Sequence, residues 1–426
     1  MIARLHSTWY SLRASYWFYP ALFAVLAALL GVAMVELDHS DAVRWVLRSD
    51  WLEPVRIDGA SSLLSVATGS MLGVAGTVFS ITIAAVAYAS GNYGPRLLTN
   101  FMEDKGNQLS LATFIGTFVY GLTVMRAMRS GSGTAPAFVP QVSLLVAFLL
   151  LVITTGVLVY FLHHIPASIR INTVLESIGR RLLDQIDERY PHQGARDPAA
   201  RPTLHGAPVR ACATGYVRVI ELAALCELAE REGLLVTLAV RTGDFVYPGV
   251  VLAETDARQL DEDLACALRD CLALGASRTA EQDIEFSIDE LVEIALRALS
   301  PAINDPFTAI TAVHWVGAAT AAFGQRDLAH EKWNRGDPSC PLARLHSDFA
   351  HFLDRGFVAM RSALATNRLA AIVALDALDT AARQVSEGPR RRALHEEMDQ
   401  LLAQAKEHLC GPDLASVRER HRVLRA

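Results

Sequence analysis

Between Gly59 and Pro95 the chain runs for 37 residues without one Asp, Glu, Lys or Arg. A helix needs only about 20 apolar residues to cross a bilayer. A charge-free stretch this long has no face suited to water, so it constrains the fold before anything else does. Three similar runs accompany it: Tyr19–Val35, Leu109–Met125 and Phe138–Leu162. No Asp, Glu, Lys, Arg or His lies inside any of the four. Beyond Arg170 the chain is dense in Arg, Asp and Glu, so the 52% hydrophobic content averages two unlike regions.

The pattern predicts an α-helical integral membrane domain with four crossings, followed by a cytoplasmic α+β domain. Within a membrane domain of residues 1–168, helices are expected at about 15–36, 61–92, 109–128 and 138–163. Trp9, Tyr10, Tyr16, Trp17 and Tyr19 crowd the start of the first, as at a lipid–water interface. A cleaved signal peptide fits poorly, because no small-residue cleavage site follows the run. Gly131, Gly133 and Pro136 mark a turn that makes the last two crossings an antiparallel hairpin.

Lys and Arg concentrate at Arg4 and Arg13, between Arg96 and Lys105, and at Arg170, Arg180 and Arg181. The segment after the first crossing is richer in acid. The positive-inside bias therefore places both termini in the cytoplasm, where four crossings require them to be together. Six cysteines follow the last run with no zinc-like spacing, so free thiols are expected and metal is not. A net charge of −6 gives no reason to expect nucleic acid.

The second run carries a pattern of its own. Gly69, Gly73, Gly76, Ser80 and Ala87 recur at helical spacing, with Ser65, Ser70, Thr77 and Ala84 beside them. Small residues let helices approach closely in lipid, within or between subunits. Hydroxyls and backbone carbonyls can also line a polar path for an ion or small solute in a homo-oligomer. Both readings stand on the sequence. The absence of intramembrane charge disfavours an ion-coupled pump.

The run ends at Tyr93-Gly94-Pro95-Arg96-Leu97-Leu98. Pro95 suits a first helical position, and Leu97, Leu98, Phe101 and Met102 share a face opposite Arg96, Asn100 and Glu103. An interfacial elbow helix fits, with Pro95, Arg96, Asn100 and Asn107 as its marked residues. Here the chain resembles a family of predicted bacterial multi-pass inner-membrane proteins, catalogued as a membrane domain of unknown function. The resemblance rests on this segment, on Val78-Phe79-Ser80-Ile81-Thr82, Gly106-Asn107-Gln108, Thr113–Tyr120, His163-His164-Ile165 and Ser300–Pro306. Ala302 stands where the resemblance would have glycine. It implies a multi-pass architecture in an inner membrane with a cytoplasmic domain, and it supplies no activity or catalytic residue.

In the second region, Ile169–Arg189 has helical spacing and is expected to continue the fourth crossing as a stalk, with a Pro- and Gly-rich linker reaching residue 207. Residues 208–256 read as a small β-module, with strands at Val209–Ile220 and Leu234–Val240 and a turn at Arg241–Asp244. It looks like the barrel-sandwich domains that carry lipoyl or biotinyl groups, but no lysine sits at the hairpin tip. No cofactor is expected. Residues 257–426 read as mainly helical, with helices at Leu260–Leu274 and Ile288–Leu299. Asp305-Pro306 is a helix start, and Asn304, Asp305 and His314 are the candidates for an ion or small ligand at that corner. No phosphate loop, nucleophile elbow, H-E-x-x-H or dinucleotide fingerprint occurs, so enzymatic activity is not expected.

Overall fold

The computed structural model describes residues 15–40, 57–94, 104–129, 138–192, 194–199, 204, 206–332 and 340–426. They fall into two compact units that divide between Arg170 and Ile171.

The first unit holds four helices: α1 (Phe18–His39), α2 (Ile57–Tyr93), α3 (Lys105–Ala127) and α4 (Gln141–Ser168). Each overruns its apolar run, so Asp38, Lys105, His163 and His164 sit on terminal turns. Helix α3 is the most enclosed, burying Leu111, Phe114, Gly116, Thr117, Tyr120, Gly121 and Val124. Glycines make the close approaches: a Cβ on Gly31 would lie 2.9 Å from Thr123, and one on Gly121 only 2.1 Å from Thr68. Across α3 and α4, the Thr117 and Thr154 hydroxyls meet at 2.8 Å, and Tyr120 donates to the Ser143 carbonyl at 3.0 Å.

The α3–α4 hairpin closes through paired backbone bonds between Arg129 and Phe138. Its glycines and Pro136 lie outside the described residues. Pro140 at the cap position of α4 has no side-chain oxygen, and Asp38 of α1 serves instead. Its carboxylate accepts from Val142 N–H (3.0 Å), Ser143 N–H (2.9 Å) and the Ser143 hydroxyl (2.6 Å). Asp38→Ala strips all three and is expected to cost about 1–2 kcal/mol. Denaturant titration of the protein in micelles should show a lower midpoint; an unchanged one would remove Asp38 from this role.

The second unit mixes strands and helices. Helix α5 (Ile171–Arg189) restarts after the break at Ile169–Arg170, and it is not a free stalk. Its stripe of Val174, Leu175, Ile178, Gly179, Leu182 and Ile186 is wholly buried. The strands are β1 (Pro208–Arg210), β2 (Gly215–Ile220), β3 (Val236–Leu238), β4 (Phe245–Val246), β5 (Val251–Thr255), β6 (Leu272–Gly275) and β7 (Leu342–Ala343). They form two sheets, ordered β1-β5-β3-β7 and β4-β2-β6, with only β3–β7 parallel. Helices α6 (Leu222–Glu232) and α7 (Glu262–Asp270) accompany a core of Val209, Val217, Leu225, Leu238, Val246, Leu252 and Leu268.

The expected strand Val209–Ile220 is therefore two strands in different sheets. The helix expected over Leu260–Leu274 ends at Asp270, and Leu272–Gly275 pairs with β2 instead. The free-thiol expectation is corrected at one pair: Cys226 and Cys340 are bonded, with Cα atoms 5.7 Å apart. Cys212, Cys266, Cys271 and Cys410 are free, and only Cys271 is buried.

The rest is helical: α8 (Ile284–Ala298), α9 (Pro306–Gln325), α10 (Phe349–Leu353), a π-helical turn (Asp354–Val358), α11 (Ala359–Leu364), α12 (Arg368–Gln384), α13 (Pro389–His408) and α14 (Gly411–Arg425). Gly179 of α5 lies against Trp315 of α9, and Tyr190 stacks edge-on to Phe323, so α5 and α9 run parallel. Gly317 faces Ala377 and Gln325 bonds Gln384, so α12 is parallel to α9 as well. Gln185 bonds Ser287 while Arg181 pairs with Glu290, which makes α8 antiparallel to α5.

By length and composition five helices could cross a membrane: α1, α2, α3, α4 and also α9. The sequence reading counted four. Helix α9 lacks charge because it packs against α5, α8 and α12, and 61% of its apolar window is buried.

Candidate functional site

Helix α2 packs through Ala60, Leu64, Thr68, Ala75, Val78, Thr82 and Ala89. The predicted stripe lies on the opposite side: Ser65, Gly69, Gly73, Gly76, Thr77 and Ser80 are all exposed in the protomer. A Cβ added at Gly69, Gly73 or Gly76 would meet no atom within 4 Å. The reading that these residues seat the protomer's own helices is thus excluded among the described residues. Thr77 and Ser80 donate back one turn, to the carbonyls of Gly73 (3.0 Å) and Gly76 (2.9 Å). Each hydroxyl keeps acceptor capacity facing outward. The face alternates side-chain-free positions with hydroxyl oxygens, suited to a second helix or to a polar solute path.

Of the elbow residues, Pro95, Arg96 and Asn100 lie outside the described residues. Asn107 sits in the first turn of α3, where it is 1% exposed. Beside it is a polar knot that no sequence spacing announced. Asp104 caps α3, accepting from Gly106 N–H (2.7 Å) and Asn107 N–H (3.4 Å). Its other oxygen is 2.8 Å from His164 Nε2, and Tyr160 Oη is 3.2 Å from His164 Nδ1. A neutral ring protonated on Nε2 satisfies both contacts. A side chain at 106 would collide with this knot, its Cβ 2.7 Å from His164. Tyr160 and His164 are four apart on one helix face, which was a readable signal; Asp104, 60 residues earlier, was not.

At the corner before α9, Asp305 spends its carboxylate on the helix start, accepting from Thr308 N–H (3.2 Å) and the Thr308 hydroxyl (2.5 Å). Asn304 takes the left-handed conformation at φ 50°, a tolerance asparagine has. It is the only non-glycine residue among those described to do so, and Ala302 needs no glycine. His314 is exposed and nine residues along the helix, about 13 Å from Asp305 by helical rise. The three do not form one site.

The sequence reading also missed a buried ionic network. Arg278 binds Asp283 (2.6 Å) and Asp289, and Arg355 binds Asp289 (2.8 Å) and Glu285 (2.9 Å). His351 and Ser347 complete Glu285 at 2.8 and 3.1 Å. Gly243, at φ 94°, leaves room for Asp283. Nearby lies a polar cleft of about 380 Å³, lined by Gln185, Arg189, Glu221, Thr242, Glu331 and Arg344 among others.

Burial pushes the Asp283 carboxyl up to about 6 against the pull of Arg278. Burial acts the same way on Glu285 and Glu331, but the hydrogen bond from His351 to Glu285, the His346 ring 3.6 Å from Glu331 and the charges of Arg355 and Arg344 hold both at about 2. Glu285 and Glu331 therefore stabilise the fold above their unfolded pKa of 4.5, and that contribution is lost as pH falls toward 2. The loss is up to about 3 kcal/mol each. Asp283 works in the other direction, its contribution falling as pH rises from 3.8 to about 6. Thermal unfolding across this range should show the acid limb flattened by Glu285→Gln; an unaltered limb would contradict the assignment.

Residues 13–380 match the model of a family described as "Predicted membrane protein (DUF2254)". The uncharacterized proteins Rv1290c of Mycobacterium tuberculosis (strain ATCC 25618 / H37Rv) and Mb1321c of Mycobacterium bovis are each 33% identical over 283 residues. The match covers 63% of this chain and 53% of each relative, so the chain spans about half their length. No solved structure matches it. With its long apolar helices and a family match over most of its length, the chain belongs to the DUF2254 family of predicted membrane proteins.

Proposed function

We propose that this is a four-crossing inner-membrane protein that assembles with copies of itself through α2 and forms a polar permeation path for an ion or small solute there. The observation that carries the reading is the outward stripe. Its glycines and hydroxyls face away from every helix among the described residues, although α2 already has a separate packing face. A groove of this kind in lipid favours close helix association. Helix α9 is taken as a core helix of the soluble unit, since three helices of that unit cover it. The soluble unit is assigned to assembly or gating, and no catalytic role is proposed. Reconstitution in liposomes should give flux of a small ion above empty vesicles. A folded, assembled and silent protein would refute permeation.

The cytoplasmic placement of both termini is part of this reading and has an independent check in Cys226–Cys340. A reducing cytoplasm would open the bridge and an oxidising compartment would keep it closed, so its state in native membranes reports the side on which the second unit lies. A bridge surviving in membranes isolated with immediate thiol blocking would put the soluble unit on the other side. A second reading, a membrane-tethered sensor, is favoured by the polar cleft beside α5. Thermal stabilisation by a small polar molecule, abolished by Arg189→Ala, would support it.

A further inference from the structure

The parallel run of α5, α9 and α12 brings their N-termini to one end of the soluble unit, together with the C-terminus of antiparallel α8. Arg368, at the start of α12, pairs with Asp413 at the start of α14, so a fourth N-terminus joins them. Large apolar side chains stand out at this end: Phe307 is 71% exposed, Ile303 41%, Leu296 36% and Leu369 36%. The corner is locked in that posture. Asn304 turns through φ 50°, Asp305 N–H bonds the Ala298 carbonyl at 2.8 Å, and the Asp305 cap fixes the first turn of α9. These bonds fix the backbone from which Ile303 and Phe307 project.

The same end carries Ile171, the first residue of α5. Helix α4 ends at Ser168, so only Ile169 and Arg170 intervene, a reach of about 10 Å at full extension. The chain itself ties this end to the bilayer surface, given the reading of α4 as a spanning helix. We propose that this end of the soluble unit rests in the lipid interface, with Ile303 and Phe307 inserted at the boundary between headgroups and acyl chains. Apolar side chains on a fixed turn gain by leaving water there. The partner is therefore a lipid surface.

The test uses the full chain in nanodiscs of mixed zwitterionic and anionic lipid, with exposed Cys212, Cys266 and Cys410 replaced by serine. A fluorophore is placed by Phe307→Cys, Ile303→Cys, Phe245→Cys or Val159→Cys, all exposed positions. Nitroxide lipids labelled in the headgroup should quench the 307 and 303 probes about twofold or more relative to the 245 probe on β4. Acyl-chain nitroxides should quench the 159 probe on α4. If 159 is quenched while 303 and 307 match 245, the proposal fails and the reading of α4 survives. If 159 is not quenched, that reading fails and the proposal with it. Self-quenching of the 307 probe between copies, without lipid quenching, would seat a second copy on this end and overturn the lipid assignment.

Discussion

Leucine at both Gly73 and Gly76 is expected to split the assembled protein into protomers and abolish flux, while each protomer stays folded. Neither glycine would bring a Cβ within 4 Å of any atom among the described residues, so the added side chains disturb no described packing. Between copies they would fall on the closest part of a helix–helix contact, where overpacking costs about 1–3 kcal/mol a site. Two sites on each copy lower association by well over about tenfold. Gly121 offers the contrast. Its Cβ position is 2.1 Å from Thr68, so Gly121→Leu is expected to unfold the membrane unit itself. Light scattering in detergent, read with flux, separates the two. An assembly that survives Gly73→Leu/Gly76→Leu with normal flux would remove α2 from both the interface and the path.

Arg278→Ala is expected to destabilise the second unit by about 3–5 kcal/mol, the usual result of stranding buried carboxylates. The guanidinium is 10% exposed and serves Asp283, 2% exposed, and Asp289, 14% exposed. Arg355 still holds Asp289, so the stranded group is chiefly Asp283 at the start of α8. Arg278→Ala/Asp283→Asn, which removes the charge as well as its partner, should recover part of the loss. Calorimetry on the full chain measures both. A loss below about 1 kcal/mol would show that the network is no more than a surface ion pair.

The stripe on α2 was legible because glycine and serine at spacings of four and three stand out in an apolar run. Its direction was not. In lipid both sides of a helix are apolar, so Ala60, Leu64 and Val78 carry no mark that they face α3 and α4. The second unit was harder for other reasons. The stripe of α5 reads the same whether it lines a stalk or a core, and only its partners Trp315 and Phe323 decide. Around Leu272 the apolar spacing fits helix and strand alike, and pairing with β2, some 50 residues earlier, settled it. Asp104–His164 and Arg278–Asp289–Arg355 join charges across turns that no local pattern specifies. Asp305 was read correctly as a helix start, because capping is local.

The most direct measurement is cysteine cross-linking between copies in native membranes. Substitutions to cysteine at Gly69, Gly73, Gly76 and Ser80 should each give a covalent dimer under mild oxidant. Leu63 and Ile81, exposed on α2 but about 100° round the helix from the stripe, should not. Cross-linking at Leu63 and Ile81 with none along the glycines would contradict an assembly built on this face.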